Sequence, residues 1–370
     1  MNIPFVDLVA QHHKIRPEID GAIRQILDSA HFILGRQVED FEGAFACFIG
    51  TKHAIGVGNG LDALRLSLLA LGLGPGDEVI IPVNTYIATA LAVSQTGATV
   101  RFVDCDPATW EMGVSQIAAQ INTRTRAIIP VHLYGMAADL APAMALAAKY
   151  GLAVIEDAAQ AHGTQYRGKP CGSLGLAGCF SFFPAKNLGC CGDGGLIATN
   201  DAEFAEKVRL LRNYGQRVKY AHEVKGCNSR LDAIQAAILA IKLPHLEEWN
   251  RQRQRHAQYY LQHLDGVGDL NFQTKAPWST HIYHLFVLET ERRDALQAHL
   301  TAKGIATGIH YPTPIHLQKA YAGCGCQPGQ FPVAERLARR ILSLPMYPEL
   351  ADSQKEYVVA AIKDFFDGKG

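Results

Sequence analysis

Lys186 lies in Cys-Phe-Ser-Phe-Phe-Pro-Ala-Lys-Asn-Leu-Gly, residues 179–189, just ahead of Gly192-Asp193-Gly194-Gly195. Upstream, the apolar run Leu152-Ala153-Val154-Ile155 ends in Glu156-Asp157-Ala158-Ala159-Gln160-Ala161-His162-Gly163. A carboxylate thus follows one strand-like run, and a serine and a lysine sit together at the end of the next. These are the groups that pyridoxal phosphate chemistry needs. The amine condenses with the aldehyde to an imine, an acid faces the pyridine nitrogen, and small or hydroxyl residues take the phosphate.

Each residue also has an ordinary reading. Most lysines are solvated surface charges. Lys186 is instead flanked by Phe182, Phe183 and Pro184, and then by glycines and apolar residues. Such surroundings lower an amine's pKa, as imine formation requires. Asp157 could be a helix cap or the partner of a pyridinium nitrogen, which makes the ring an electron sink. Gly58-Asn59-Gly60-Leu61-Asp62 joins a strand to a helix. It is either a plain turn or a phosphate cradle of free N–H groups at a helix start. Tyr86 could stack on a ring or belong to the core, and Gly192–Gly195 could be a simple turn. His310-Tyr311-Pro312 and Pro314-Ile315-His316 form a proline-rich loop suited to recognising a hydroxyl-rich ligand, although loop histidines are usually solvated.

Alternating elements must position these groups. Apolar runs at Ala54–Val57, Glu78–Pro82, Thr99–Val103, Ala127–Val131, Leu152–Ile155, Cys179–Phe182 and Leu196–Thr199 read as strands, with helix-like segments between several of them, such as Asp62–Leu71. That pattern predicts a largely parallel α/β sheet covered on both faces. Ligands of such sheets bind at the carboxyl ends of the strands, where both Asp157 and Lys186 fall. Further on, helices are expected over Asp201–Arg212, Leu231–Leu243, Leu246–Leu264, Arg292–Lys303, Ala334–Ser343 and Ser353–Phe366, with a strand over His281–Leu288 and an interruption at Leu243-Pro244. The expected division is a large domain over 1–245 and a smaller C-terminal domain over 246–370.

Composition excludes several classes. Thirty-five basic residues balance thirty-five acidic ones, so no basic excess points to nucleic acid. No apolar run is long enough to span a membrane, and Met1–Asp7 carries neither a basic start nor an apolar signal core. The nine cysteines read as free thiols of a reducing cytoplasm. Cys324-Gly325-Cys326 is too closely spaced for a zinc pair, and no metal is expected.

Taken together, these motifs resemble the sugar aminotransferases of the DegT/DnrJ family. The resemblance runs through His31–Gly35, Gly76–Val79, His132–Gly135, Glu156–Gly163, Ser181–Gly195, Asn228–Asp232 and the His310-Tyr311-Pro312 loop. It implies the aspartate aminotransferase fold (fold type I), with a mostly parallel seven-stranded sheet, an α+β C-terminal domain and pyridoxal 5'-phosphate as cofactor. It implies that Lys186 forms the imine and shuttles protons, that Asp157 pairs with the ring nitrogen, that Gln160 contacts the ring or its 3-hydroxyl, and that Tyr86 stacks. Gly60, Leu61 and Ser181 would hold the phosphate, and Asn228 would reach the cofactor of the other subunit in a homodimer. His310, Tyr311, His316 and Phe183 would face a nucleotide-sugar.

Gly58–Asp62 and Gly192–Gly195 resemble the branch that acts on 3-keto sugars. Phe183 departs from that branch's usual tyrosine, and Cys190-Cys191 from its usual small and apolar pair. The expected reaction moves an amino group from glutamate to C3 of a dTDP-linked 6-deoxyhexose. A 4-keto nucleotide-sugar aminotransferase and a cofactor-bound regulatory protein without turnover are the alternatives. Relatives that act as sugar dehydratases replace the lysine with histidine, whereas Lys186 is present here.

Overall fold

The computed structural model describes residues 1–368. Lys369 and Gly370, at the end of the expected C-terminal domain, lie outside the described residues. A seven-stranded sheet dominates, in the spatial order His53–Val57, Gly195–Thr199, Ala177–Ser181, Ala153–Asp157, Thr125–Ile128, Glu78–Pro82 and Thr99–Val103. Gly195–Thr199 runs antiparallel to both its neighbours, and the other pairings are parallel.

Strand periodicity divides the core. Val79 and Ile81 enter one apolar cluster together with Ile55, Ile129, Ile155, Cys179 and Ile197. The residue between them, Ile80, enters another with Ile128 and Val154. Phe180, Leu196 and Ala198 pack on that same opposite side against Phe41 and Phe45 of the helix Arg36–Ile49. Both faces are therefore covered, which is why the strands read as nearly unbroken apolar runs. Because most strands point the same way, Val57, Pro82, Asp157 and Ser181 all end at one edge of the sheet.

A buried ion pair braces the first strand. Arg212, ending the helix Ala202–Arg212, donates through Nη1 to Glu42 Oε1 and to the Gly56 carbonyl (2.7 Å). The Gly56 N–H donates to the same Glu42 oxygen at 2.7 Å. Two helices are thus clamped onto the strand that leads into Gly58–Gly60.

A second sheet holds the C-terminal part, in the order Asn271–Phe272, Phe286–Glu289, Ile341–Leu344, all antiparallel. Two expectations fail here. The strand begins at Phe286 rather than His281, because 281–285 is drawn onto the 3₁₀ turn Leu133–Gly135: Ile282 N–H donates to Gly135 O (2.9 Å) and Leu285 N–H to Tyr134 O (3.3 Å). The helix Pro332–Arg340 stops short of Ser343, because Ile341–Leu344 is wholly buried as a strand paired with Phe286–Glu289. A short apolar run fits either geometry, and pairing decides it. At Leu243-Pro244 the chain continues through one 3₁₀ turn, Leu243–His245, into the helix Leu246–Leu264.

Two helices, Leu8–Ser29 and Arg36–Ile49, precede the first strand and carry no expectation above. The N-terminal residues depart from the expected division. Ile3 is buried in the C-terminal core and pairs with Ile305, through Ile3 N–H to Gly304 O and Ala306 N–H to Ile3 O, both 2.9 Å. Among the described residues no helix is long and apolar enough to cross a membrane.

Removing one partner of a buried ion pair strands the other. Glu42→Ala should destabilise the fold by about 3 kcal/mol, read as a lowered urea midpoint at unchanged slope.

Candidate active site

The carboxyl edge of the sheet gathers the predicted groups. Asp157 closes the central strand and is buried. Its Oδ1 accepts from the Ala159 N–H at 3.2 Å, and its Oδ2 accepts from the Thr89 hydroxyl at 2.8 Å. Thr89 in turn lies 2.9 Å from the hydroxyl of Thr85. Burial raises the Asp157 carboxyl above its ordinary value, against the pull of Thr89, the Ala159 N–H, the Lys186 charge and His132.

Lys186 follows a tight turn in which its N–H donates to Phe183 O at 2.8 Å. Burial pushes its amine down to about 8, against the opposing pull of Asp157. At pH 7 about a tenth of such an amine is uncharged and nucleophilic, far more than of an ordinary lysine, as imine chemistry demands. Its neighbour Asn187 is locked in place: its Nδ2 donates to Asn250 Oδ1 (2.7 Å), and its Oδ1 accepts from His284 Nδ1 (3.0 Å).

Gly60 and Ser181 define a cradle. The helix Gly60–Ala70 is capped by Asn59, whose side chain accepts from Asp62 N–H at 2.8 Å, while Ala63 N–H donates to Asn59 O at 3.0 Å. The first N–H groups of a helix have no intrahelical acceptor, and those of Gly60 and Leu61 stand at this helix start. A Cβ on Gly60 would stand 2.7 Å from Ser181 Cβ, so only glycine lets the helix start come this close to the serine. Free N–H groups, a positive helix end and a hydroxyl suit a phosphate.

The remaining wall comes from loops. Tyr86 begins the helix Ile87–Ser94, and its half-exposed ring lies 5.3 Å from that of Tyr311 at an interplanar angle of 38°. Tyr311 OH accepts from Gln160 Nε2 at 3.1 Å, and Gln160 Oε1 accepts from Tyr134 N–H at 2.7 Å. Tyr134 OH donates to the His310 carbonyl. The His310 ring stacks on Phe5 at 5.6 Å, its Nδ1 lies 2.9 Å from Ser343 Oγ, and burial followed by the Lys186 charge pushes it down to about 4. It is therefore a neutral hydrogen-bonding group at physiological pH.

Lys186, Asp157, Gln160, Ser181, Gly60, Leu61, Tyr86, His310 and Tyr311 thus share one edge. Phe183 is exposed beside Ser181, its N–H 3.3 Å from the serine Oγ. Asn228 is exposed and bridged to Asn213. His316 is a correction: its side chain is fully buried, with Nε2 3.1 Å from Glu335 Oε1 and its ring against Phe331, so it is not available to a ligand. Its place beside two prolines suggested a recognition loop, but the chain turns it into the core. Thr85, Thr89 and Tyr134 belong to the site without a sequence expectation of their own. The spacing of Thr89 from Tyr86 on one helix start was the available signal.

His132, Glu156 and Cys171 converge in the interior. Glu156 accepts from the N–H groups of Gly172, Leu174 and Gly175, each at 2.7 Å, and from His132 Nε2 at 3.0 Å. Burial would raise this carboxyl, but these donors hold it below the usual range. His132 Nδ1 accepts from Ala138 N–H (3.2 Å), so Nε2 carries the proton. Neither side chain has a lone pair free for a metal, and the cluster is structural.

The family described as the DegT/DnrJ/EryC1/StrS aminotransferase family matches residues 13–363. A pleiotropic regulatory protein of Geobacillus stearothermophilus is 48% identical over 368 residues, covering 99% of each chain. A dTDP-3-amino-3,4,6-trideoxy-alpha-D-glucose transaminase of Streptomyces venezuelae is 49% identical, covering 98% of this chain and 96% of its own. The crystal structure of S. venezuelae DesV in complex with a ketimine intermediate superposes with a TM-score of 0.97 at 48% identity, covering 99% of both chains.

A lysine lowered to about 8 should capture pyridoxal phosphate with a rate that rises with pH and levels off above about 8, since the neutral amine is the nucleophile. An ordinary lysine would keep gaining rate beyond pH 10. Asp157→Asn removes the charge that holds the amine up and should move the inflection lower. Stopped-flow absorbance of the cofactor-free protein reads both.

Proposed function

The chain belongs to the DegT/DnrJ/EryC1/StrS aminotransferase family, and from that premise we propose that it uses pyridoxal phosphate to move an amino group from glutamate to C3 of a dTDP-linked 6-deoxyhexose. The observation that carries the cofactor reading is the low-pKa Lys186 sharing one strand edge with buried Asp157 and the Gly60–Ser181 cradle. When bound, the cofactor supplies an electron sink that weakens the bond to the donor's α-hydrogen.

The chain's own residues do the rest. The N–H groups of Gly60 and Leu61 and the Ser181 hydroxyl hold the phosphate. Asp157 pairs with the ring nitrogen, and Tyr86 covers one ring face. Gln160 orders Tyr311 and retains one amide N–H for the ring's 3-hydroxyl. Within each half-reaction the Lys186 amine would take a proton from one carbon and return it to another, so it acts as acceptor and donor in both. His310, Tyr311 and Phe183 face the sugar. The same order of events serves both halves: amine in and keto acid out, then keto sugar in and amino sugar out.

A homodimer with shared sites is part of this reading. Tyr214, Val218, Tyr220 and Val224 are exposed around the hairpin Gln216–His222, and Asn228 is exposed just beyond it. An apolar patch of that kind calls for a covering surface. Mixing inactive Lys186→Ala and Asn228→Ala chains should restore part of the activity through hybrid dimers. No return of activity despite proven exchange would remove the shared site.

The C3 assignment is supported by the S. venezuelae relative, whose named product is a 3-amino sugar, and by the Gly58–Asp62 and Gly192–Gly195 runs. Reaction at C3 rather than C4 requires the hexose to turn relative to a fixed diphosphate, so hydroxyl contacts from the His310–Tyr311 loop must differ between the two. Side-by-side assays with dTDP-linked 3-keto and 4-keto 6-deoxyhexoses, glutamate as donor and regiochemistry read by NMR should give the 3-amino product. A 4-amino product would move the protein to the other branch. The regulatory name of the G. stearothermophilus relative is met by the same experiment, because a protein without turnover leaves both substrates and the cofactor absorbance unchanged.

A further inference from the structure

Half of the hydrogen bonding to the Asp157 carboxylate comes from a neighbouring helix start rather than from its own segment. Its Oδ2 accepts from Thr89 Oγ1 at 2.8 Å, and Thr89 Oγ1 is 2.9 Å from Thr85 Oγ1. Both threonines are buried, Thr89 1% and Thr85 4% exposed, so water does not compete for their hydroxyls. A hydroxyl carries one proton. With the Thr89 proton committed to the carboxylate, Thr89 has only lone pairs left for Thr85, so Thr85 must donate. Both bonds then converge on Oδ2 as an acceptor: a proton on that oxygen would have to reverse the chain, so the two hydroxyls favour the ionised carboxylate.

We infer that Thr89, backed by Thr85, is a positioning residue that keeps Asp157 ionised and its free edge aimed along the strand's carboxyl end. The inference rests on the proposed pairing of Asp157 with the cofactor's ring nitrogen. Thr89 lies in the first turn of the helix Ile87–Ser94, whose positive end adds to the same effect. The titratable neighbours leave the role to this pair. Burial raises the Cys179 thiol and the Tyr311 phenol, so both are neutral. His132 donates its Nε2–H to Glu156 and accepts at Nδ1 from Ala138, so it makes no hydrogen bond to Asp157, and Lys186 acts on Asp157 through its charge alone.

The test reads the ring nitrogen directly. Protein reconstituted with pyridoxal phosphate labelled with ¹⁵N in the ring is titrated by NMR. In the wild type the nitrogen should hold its proton to high pH. In Thr89→Val, which keeps the shape and loses the hydroxyl, its pKa should fall by about one unit, a tenfold change in the protonation constant, with kcat reduced and KM for the donor little changed. Thr89→Ser should restore the wild-type titration, and Thr85→Val should give a smaller fall in the same direction. Bound label in each variant shows that it has folded. If Asp157→Asn shifts the nitrogen and Thr89→Val does not, the relay is wrong while the pairing stands. If Asp157→Asn also leaves it unmoved, the pairing fails and the relay with it.

Discussion

A carboxylate at the buried end of a central strand is costly, and the arrangement of this site follows from how that cost is met. Desolvation disfavours the charged form of Asp157. The compensation comes from four directions: a threonine on the next helix start, the Ala159 N–H, the Lys186 amine and the His132 ring. Each is placed by a different element, so the carboxylate ties the sheet, the helix Ile87–Ser94 and the lysine turn into one electrostatic unit. The lysine is coupled in return. Burial lowers its amine, and Asp157 stops that fall at about 8.

Glu156 shows how the same strand uses an adjacent carboxylate for the opposite purpose. Successive strand residues face opposite sides of a sheet. Glu156 therefore turns away from the edge, and four donors saturate it. One acid is fully enclosed by its own chain and organises the Gly172–Gly175 turn. The next keeps hydrogen-bonding capacity open toward the edge. Chemistry is assigned here by which carboxylate is left unsatisfied rather than by which is present.

The seven strands and the placing of Asp157, Ser181 and Lys186 at one edge were legible because parallel strands covered on both faces leave unbroken apolar runs. The site motifs stood out because a lysine flanked by apolar residues is unusual. What escaped depended on contacts distant in sequence. His281–Leu285 has strand-like composition, but the backbone of Tyr134 and Gly135 claims it. Ile341–Leu344 looks like the end of a helix until Phe286–Glu289 pairs with it. His316 sits in a loop by sequence and in the core by packing, held by Glu335. Tyr134, which links Gln160 to the His310 loop, bridges segments far apart in sequence, a relation that no local pattern carries.

The pairing of Ile3 with Ile305 bears on how the chain is made. Ile3 leaves the ribosome long before its partner exists, so an apolar residue destined for the C-terminal core must wait, unsheltered, while the main sheet assembles. The sheet can form as synthesis proceeds, since its strands end at Thr199, in keeping with the tendency of chains to fold in units during synthesis. The C-terminal core closes only when both ends are present. Phe5, on that same early segment, is what the His310 ring rests against. The wall of the site built on the His310 ring is therefore complete only when both ends of the chain are in place.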